Sequence, residues 1–132
     1  MRIKRGLKSF SMYKVGKDME VFLIDLQLAG VEVRKSNPRY ANYFKLLSKI
    51  VNEYGFGTKN MHAIDYIGRT PTQKGRATFL LRVYTTPEKK VEYAAIASFR
   101  PQPLRDLERF LSSSGWKRLF HIGILVEHVK SA

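Results

Sequence analysis

The chain contains no cysteine among its 132 residues. Disulfides, cysteine-ligated zinc, iron–sulfur clusters and thiol nucleophiles are therefore excluded. Its apolar runs are shorter than the ~20 residues that cross a bilayer, so we expect no membrane partner. Acidic residues are scarce, with 11 Asp and Glu against 24 Lys and Arg. Such a surplus of cations repels itself in the folded state and is typical of proteins that bind polyanions.

Catalytic signatures are also missing from the sequence. It contains no HExxH, no Gly-x-Ser-x-Gly and no phosphate-binding GxxxxGK[ST] pattern. His121 and His128 are an odd number of residues apart, so they cannot share one face of a strand. Asp25, Asp65 and Glu92 are an alternative set of nuclease metal ligands, but lone acids on strands usually serve solubility. We expect a protein that is not an enzyme and has no metal or cofactor.

The composition predicts one folded domain over residues 1–132, since 44% of the residues are apolar and 12% are aromatic. Residues 1–17 contain six Lys and Arg and no acid. They lack the continuous apolar core of a secretion signal. A solvated end and a phosphate-binding arm both remain open, and the charge density favours an arm over residues 1–7. The candidate phosphate ligands in this region are Arg2, Lys4, Arg5 and Lys8.

Hydrophobic periodicity predicts the elements of secondary structure. An apolar stripe with a 3.6-residue period, an N-cap at Asn37 and a glycine at 55 predict a helix over 38–54. A shorter stripe predicts a second helix over 104–111. Residues 86–99 begin like a helix but alternate like a strand, and we favour a strand after a turn at 87–90. Alternation predicts further strands at 8–15, 19–28, 31–33, 60–67, 76–85 and 120–126.

This order of elements predicts an α+β protein. Without its additions it is βαββαβ, the ferredoxin-like (split βαβ) core, with an extra N-terminal strand. Each helix has a single apolar stripe, so both helices should cover one face of an antiparallel sheet. The other face would then be left to solvent or to a partner.

Two segments resemble the RNA-recognition motif family. Residues 21–26 are similar to the first-strand hexamer of that family, with Asp25 where asparagine is usual. Residues 74–79 begin like its third-strand octamer, but Arg76 and Thr78 stand where the family has aromatic residues. The resemblance covers two short strands and implies a shared layout, not membership.

The densest candidate contact with a polyanion lies around residues 68–76. A polar loop is predicted over 68–75, and it can place backbone N–H groups and cations along phosphates. A solvated hairpin loop is the alternative. Arg82 and Tyr84 are predicted on the open face of the next strand, where an aromatic beside cations can stack bases; a cross-strand partner for Tyr84 is the alternative. The candidate residues here are Arg69, Lys74, Arg76, Arg82 and Tyr84.

Two further basic clusters flank the helices. Arg34, Lys35 and Arg39 precede the first helix, and Lys117 and Arg118 follow the second. Trp116 beside them can stack on bases or fill the core, and its place after a helix end favours the core.

Charge spread over several loops suits burial among RNA segments better than the recognition of one short site. We therefore expect a small basic protein that binds structured RNA, as a ribosomal or other ribonucleoprotein scaffold component with neighbouring proteins. An intracellular location, cytoplasmic or organellar, follows from such a partner. The alternatives are a DNA-binding protein and a structural subunit of a protein assembly, such as a virion or organelle complex.

Overall fold

Six strands and three helices make up the structure, a computed structural model that describes residues 6–72, 75–99 and 102–123. The strands are β1 Ser9–Asp18, β2 Glu32–Lys35, β3 His62–Thr72, β4 Gly75–Thr85, β5 Lys90–Ser98 and β6 Lys117–Gly123. The helices are α1 Met19–Leu28, α2 Ala41–Tyr54 and α3 Gln102–Ser113, with one 3-10 turn at Pro38–Tyr40 before α2. No helix within these described ranges is long and apolar enough to cross a membrane.

The strands form one sheet in the order β2-β3-β4-β5-β1-β6, and all neighbouring strands are antiparallel. The α+β class with an antiparallel sheet is confirmed. The ferredoxin-like core is not confirmed, because this sheet is larger than that fold provides. β1 lies inside this six-stranded sheet, where it pairs with β5 on one side and β6 on the other.

Helices cover both faces of the sheet, so the predicted open face is wrong. One buried cluster joins Leu47 and Ile50 of α2 to Leu80 of β4. A second cluster, on the other face, joins α1 and α3 to the alternate residues of β4, such as Phe79 and Leu81. A sheet that is covered twice needs strands with apolar residues on both faces. The sequence of β4 meets this requirement, although we predicted one of its faces to be open.

The predicted strand at 19–28 is wrong, because these residues form α1. Phe22 and Leu26, four residues apart, are buried and hold the helix on the sheet. Val21, Ile24 and Leu28 are exposed on the outside, where polar residues normally reveal a helix. Because α1 has apolar residues on its exposed side as well as on its buried side, its sequence shows no clear 3.6-residue period. The resemblance of residues 21–26 to a first strand of the RNA-recognition motif fails for the same reason.

The predicted loop at 68–75 is also wrong, because β3 continues to Thr72 and pairs with β4 up to Gly75. Gly68 marks a close approach inside the hairpin. A Cβ atom added there would lie 2.3 Å from Cζ of Phe79, whose ring covers the strand. A glycine in the sequence can mark such a close approach inside a strand, and it need not mark a turn. Lys74 lies outside the described residues.

Other predicted elements agree with the structure. The strand interpretation of residues 86–99 is confirmed by β5. The first predicted helix is the 3-10 turn followed by α2, with the side chain of Asn37 accepting a hydrogen bond from the Arg39 N–H at 2.9 Å. The second predicted helix is α3, and the last strand begins earlier than predicted, at Lys117. The predicted strand residues 124–126 lie outside the described residues.

A buried carboxylate ties three elements together behind the sheet. Asp25 of α1 accepts hydrogen bonds from Lys17 Nζ at 2.6 Å and from Trp116 Nε1 at 2.8 Å. Lys17 Nζ also donates to the carbonyl oxygen of Ser114 at 2.6 Å, just after α3. The indole of Trp116 stacks on Phe22 with ring centroids 4.9 Å apart and is 2% exposed. Trp116 is therefore a core residue, as its position favoured.

Removing this carboxylate should destabilise the fold. We expect Asp25→Ala to lower the free energy of unfolding by ~3 kcal/mol, because it leaves the Lys17 ammonium without its counter-charge. Urea denaturation followed by the fluorescence of Trp116, the single tryptophan, measures the loss. Glu20→Ala on the exposed side of α1 is the control and should change stability by less than ~0.5 kcal/mol. Equal effects of the two variants would contradict the assignment.

Candidate nucleic-acid interface

The strand register decides which basic residues share a face. Residues that pair directly across strands point to the same side of a sheet. Ile67 and Leu80 pair with each other and belong to the cluster that α2 covers. The face that contains them and α2 is called the α2 side below.

Three arginines from three strands lie at one end of the α2 side. Arg34 pairs with Ile67, Arg69 lies two residues further along β3, and Arg76 lies four residues before Leu80 on β4. Arg76 forms an exposed ion pair with Glu32 at 2.9 Å, which contributes little because water screens it. Arg34 and Arg69 are exposed and have no ion pair among the residues that the structure describes. These arginines can meet a phosphate backbone together.

More cations extend the α2 side beyond this end. Arg39 of the 3-10 turn and both Lys45 and Lys49 of α2 are exposed, whereas Glu53 is an exposed acid near the end of the same helix. Lys59 follows α2 in the loop that leads to β3. Within the described ranges, none of these four cations is in an ion pair.

Arg82 was predicted on an open face, and that placement is wrong. Its Nε donates to Asp65 Oδ1 at 2.6 Å and its Nη2 to Oδ2 at 3.0 Å. It also donates to Ser48 of α2 and lies 5.6 Å from the centre of the Phe44 ring. Burial acts to lower the pKa of Arg82, but Asp65 outweighs it and raises the pKa overall. Arg82 fastens α2 to the sheet, and its side chain is only 14% exposed.

Tyr84 is likewise inside the protein and not on a stacking surface. It is 5% exposed and belongs to the cluster under α2. Burial raises the pKa of its hydroxyl, while hydrogen bonds to Arg82 and Thr58 partly oppose that rise. The alternation of residues along β4 showed that the strand has two faces. It could not show that helices cover both of them. Tyr84 therefore leaves the set of candidate RNA-binding residues.

The remaining candidates are divided between the two sides. Lys117 pairs with Lys14, whose Nζ lies over the Tyr93 ring on the α2 side. Lys35 pairs with Tyr66 on the opposite side, and Arg118 binds Glu108 of α3 there at 3.4 Å. Lys8 is exposed just before β1, next to the fully buried Leu7, which therefore does not belong to a free arm. Arg2, Lys4 and Arg5 lie outside the described residues.

Three aromatic rings that our sequence analysis did not select form a corner on the α2 side. Tyr54, the last residue of α2, lies 4.2 Å from Phe120 and 6.2 Å from Phe56 between ring centroids. Phe56 and Phe120 are 6.1 Å apart. Tyr54 is 45% exposed. The signal that was missed is an aromatic residue between two glycines, Gly55 and Gly57, directly after a helix. These three rings are called the aromatic corner below.

A shallow groove adjoins the aromatic corner. It has a volume of about 400 Å³, at the small end of the range for ligand pockets. Its lining contains apolar groups of Val51 and Phe56 together with polar groups of Asn52, Thr58 and Lys59. Thr58 is held in place by Tyr84. The groove therefore joins an aromatic surface to hydrogen-bonding groups and one cation.

One cluster of catalytic residue types lies on the opposite side of the sheet. Ser11 contacts Glu108, and its Oγ lies 2.8 Å from His121 Nδ1. In a nucleophilic triad, the carboxylate orients the histidine while the histidine contacts an accessible serine. Here Ser11 is fully buried and lies between the other two groups, so no substrate can reach it. Among the described residues, no group of three or more His, Asp or Glu side chains is placed to hold a metal.

Comparison of the chain with models of known protein families, with curated proteins and with solved structures gives no match. The function of this protein is therefore inferred from the arrangement of its own residues.

Replacing Arg82 and replacing Arg69 should have very different effects on the stability of the protein. We expect Arg82→Ala to lower the free energy of unfolding by ~2 kcal/mol, because Asp65 and Ser48 lose their charged hydrogen-bond partner. Arg69→Ala should change stability by less than ~0.5 kcal/mol, since its side chain is exposed. Denaturation with urea measures both. A stable Arg82→Ala variant would show that the residue is free for a ligand after all.

Proposed function

We propose that this protein is a non-enzymatic RNA-binding protein that acts as a scaffold component of a ribonucleoprotein, through the α2 side of its sheet. The proposal is supported by exposed cations on that side that have no carboxylate partner among the described residues. They are Arg34, Arg39, Lys45, Lys49, Lys59, Arg69 and Lys117. An RNA partner also implies an intracellular location.

Few acidic residues of the described ranges lie on this surface: Glu32 pairs with Arg76, Glu53 is exposed near the end of α2, and Glu92 lies 4.0 Å from Lys14. Asp25 and Asp65 are occupied by Lys17 and Arg82 within the fold. Residues 18–31 include three acids, Asp18, Glu20 and Asp25, and no Lys or Arg, and they contain α1. α1 itself therefore carries no cation, and the described cations lie on other elements. A surface with one sign of charge attracts a polyanion at long range and binds it by releasing counterions.

The spacing of the cations favours a folded RNA over a short linear site. Arg34 and Arg69 extend from strands at one end of the sheet, whereas Lys117 lies on β6 at the opposite edge. A surface as wide as six strands meets several phosphate backbones more readily than one. Backbone contacts of this kind position a nucleic acid without reading its sequence.

Replacing cations on the α2 side should weaken RNA binding and its dependence on salt. We expect the triple variant Arg34→Ala, Lys49→Ala, Arg69→Ala to bind a labelled RNA hairpin more than tenfold more weakly at moderate salt. The slope of log affinity against log salt should become shallower by about 2–3, at ~0.7–0.9 per lost phosphate contact. Fluorescence anisotropy across a salt series measures both quantities.

A matched control removes the same charge elsewhere. The triple variant Lys35→Ala, Lys90→Ala, Arg109→Ala removes three exposed cations and leaves the α2 side intact. It should keep most of the affinity and most of the salt slope. If the two variants lost the same affinity, binding would depend only on the net charge of the protein. That result would overturn the proposed surface. Tighter binding of duplex DNA than of RNA would favour the DNA-binding alternative.

A structural subunit of a protein assembly is the second candidate, and the outside of α1 favours it. Val21, Ile24 and Leu28 form a helical stripe that is 42%, 50% and 69% exposed. Exposed apolar stripes of this kind often mark contacts between proteins. The same segment carries no cation, so two strongly basic copies would meet there with the least repulsion.

Self-association tests this second candidate. If α1 is a contact between copies, the protein should sediment as a concentration-dependent oligomer. Ile24→Asp should shift it to the monomer without unfolding it, because that side chain points outward. Analytical ultracentrifugation measures the mass, with Arg109→Ala on the exposed side of α3 as the control. A wild-type protein that stays monomeric at high concentration would exclude the contact.

A further inference from the structure

Tyr54 is the exposed end of the α2 stripe. One side of its ring packs on Phe120 at 4.2 Å, yet 45% of the residue is exposed. The other residues of the α2 stripe that face the sheet, such as Leu47 and Ile50, are completely buried. Tyr54 therefore ends an apolar stripe with a ring that the fold itself does not cover.

The chain is turned so that the rings stay together. Gly55 has a φ of 58° and Gly57 a φ of 72°, left-handed conformations that glycine adopts at little cost. The turn at Gly55 ends α2, and Phe56 packs near Tyr54 and Phe120. The rings thus form an aromatic platform in which Tyr54 packs against Phe120, with the two ring planes tilted by 37°. A supported aromatic ring with an open face is a stacking surface for a base.

Cations lie on the same side as this platform. Lys14 Nζ lies 5.4 Å from the centre of the Tyr93 ring, and Lys14 pairs with Lys117 across β1 and β6. Phe120 pairs with Met12, two residues from Lys14 on the same face of β1. Lys14 is 4.0 Å from Glu92 but its side chain is still 51% exposed. Lys14 therefore lies two residues, ~7 Å along the strand, from the strand partner of Phe120, and Lys117 lies three residues before Phe120 on β6.

We propose that the aromatic corner binds an unpaired nucleobase, which stacks on the open face of Tyr54. The flanking phosphates would lie against Lys14 and Lys117, and Lys59 with Asn52 would meet a neighbouring nucleotide in the groove. This inference rests on the proposed function and specifies it, because it names a single-stranded segment as the part of the RNA that the corner recognises. A base inside a duplex has both faces covered by its neighbours and cannot reach the ring.

The test compares single-stranded and duplex RNA on the same variants. Tyr54→Ala should bind a single-stranded oligoadenosine about tenfold more weakly, which lies within the range for one stacked base. Its affinity for a blunt RNA duplex should change less than twofold. The salt slope should not change, because stacking releases no counterions. Tyr54→Phe should keep the affinity of the wild type, since the ring remains.

Two further variants separate stacking from folding. Tyr54→Leu keeps an apolar cover on Phe120 but has no aromatic face, so it should lose the same affinity as Tyr54→Ala. Tyr40 directly precedes the first residue of α2, at the end of the helix opposite to Tyr54. Tyr40→Leu makes the same chemical change there and should not affect binding. Thermal unfolding of each variant checks that the fold is retained.

The outcomes distinguish this inference from the proposed function. Wild-type protein that binds neither RNA would overturn both. Wild-type protein that binds both RNAs, with Tyr54→Leu unchanged on the single strand, would overturn the stacking site alone. Equal losses on single-stranded and duplex RNA would also overturn it, because a lost stacking surface cannot weaken duplex binding.

Discussion

The buried carboxylate of Asp25 is the interaction on which the arrangement of this fold depends. It accepts hydrogen bonds from Lys17 on β1 and from Trp116 after α3, so it connects the sheet to both helices on that face. A charge in this position is costly unless it is paired and hydrogen-bonded. Both conditions hold only when α1 lies on the sheet with Trp116 beside it. The pair therefore selects one arrangement of these elements, in addition to the stability that Phe22 and Trp116 contribute by stacking.

A second ionic contact has the same role on the other face. Arg82 reaches from β4 to Asp65 on β3 and to Ser48 on α2. Together the two contacts occupy two cations and two of the 11 acids inside the fold. Most of the remaining cations must then be on the surface, and the register of β2, β3 and β4 gathers several on the α2 side. α1 carries acids and no cation, whereas the α2 side gathers exposed cations from several elements.

Local signals predicted those parts of the fold that need only short-range information. The helix at 38–54 has a cap, a stripe and a terminal glycine, and it forms nearly as predicted. The segment at 19–28 has no polar face. Its pattern of apolar residues therefore fits a strand as well as a helix that packs on the sheet with one side. The candidate site divides in the same way. Exposed cations such as Arg69 could be selected from composition, whereas Arg82 looked the same in sequence and is an internal clamp.

What the sequence by itself determined is the class of protein, a small α+β chain with a strong positive charge and no cysteine chemistry. Composition and periodicity carry that information because they act residue by residue. Only the tertiary structure decided that both faces of the sheet are covered, that Tyr84 is buried and that Tyr54, Phe56 and Phe120 meet. These facts depend on contacts between distant segments, such as α2 and β6, which no local pattern records. The physical reason is that a side chain's availability is set by what packs over it.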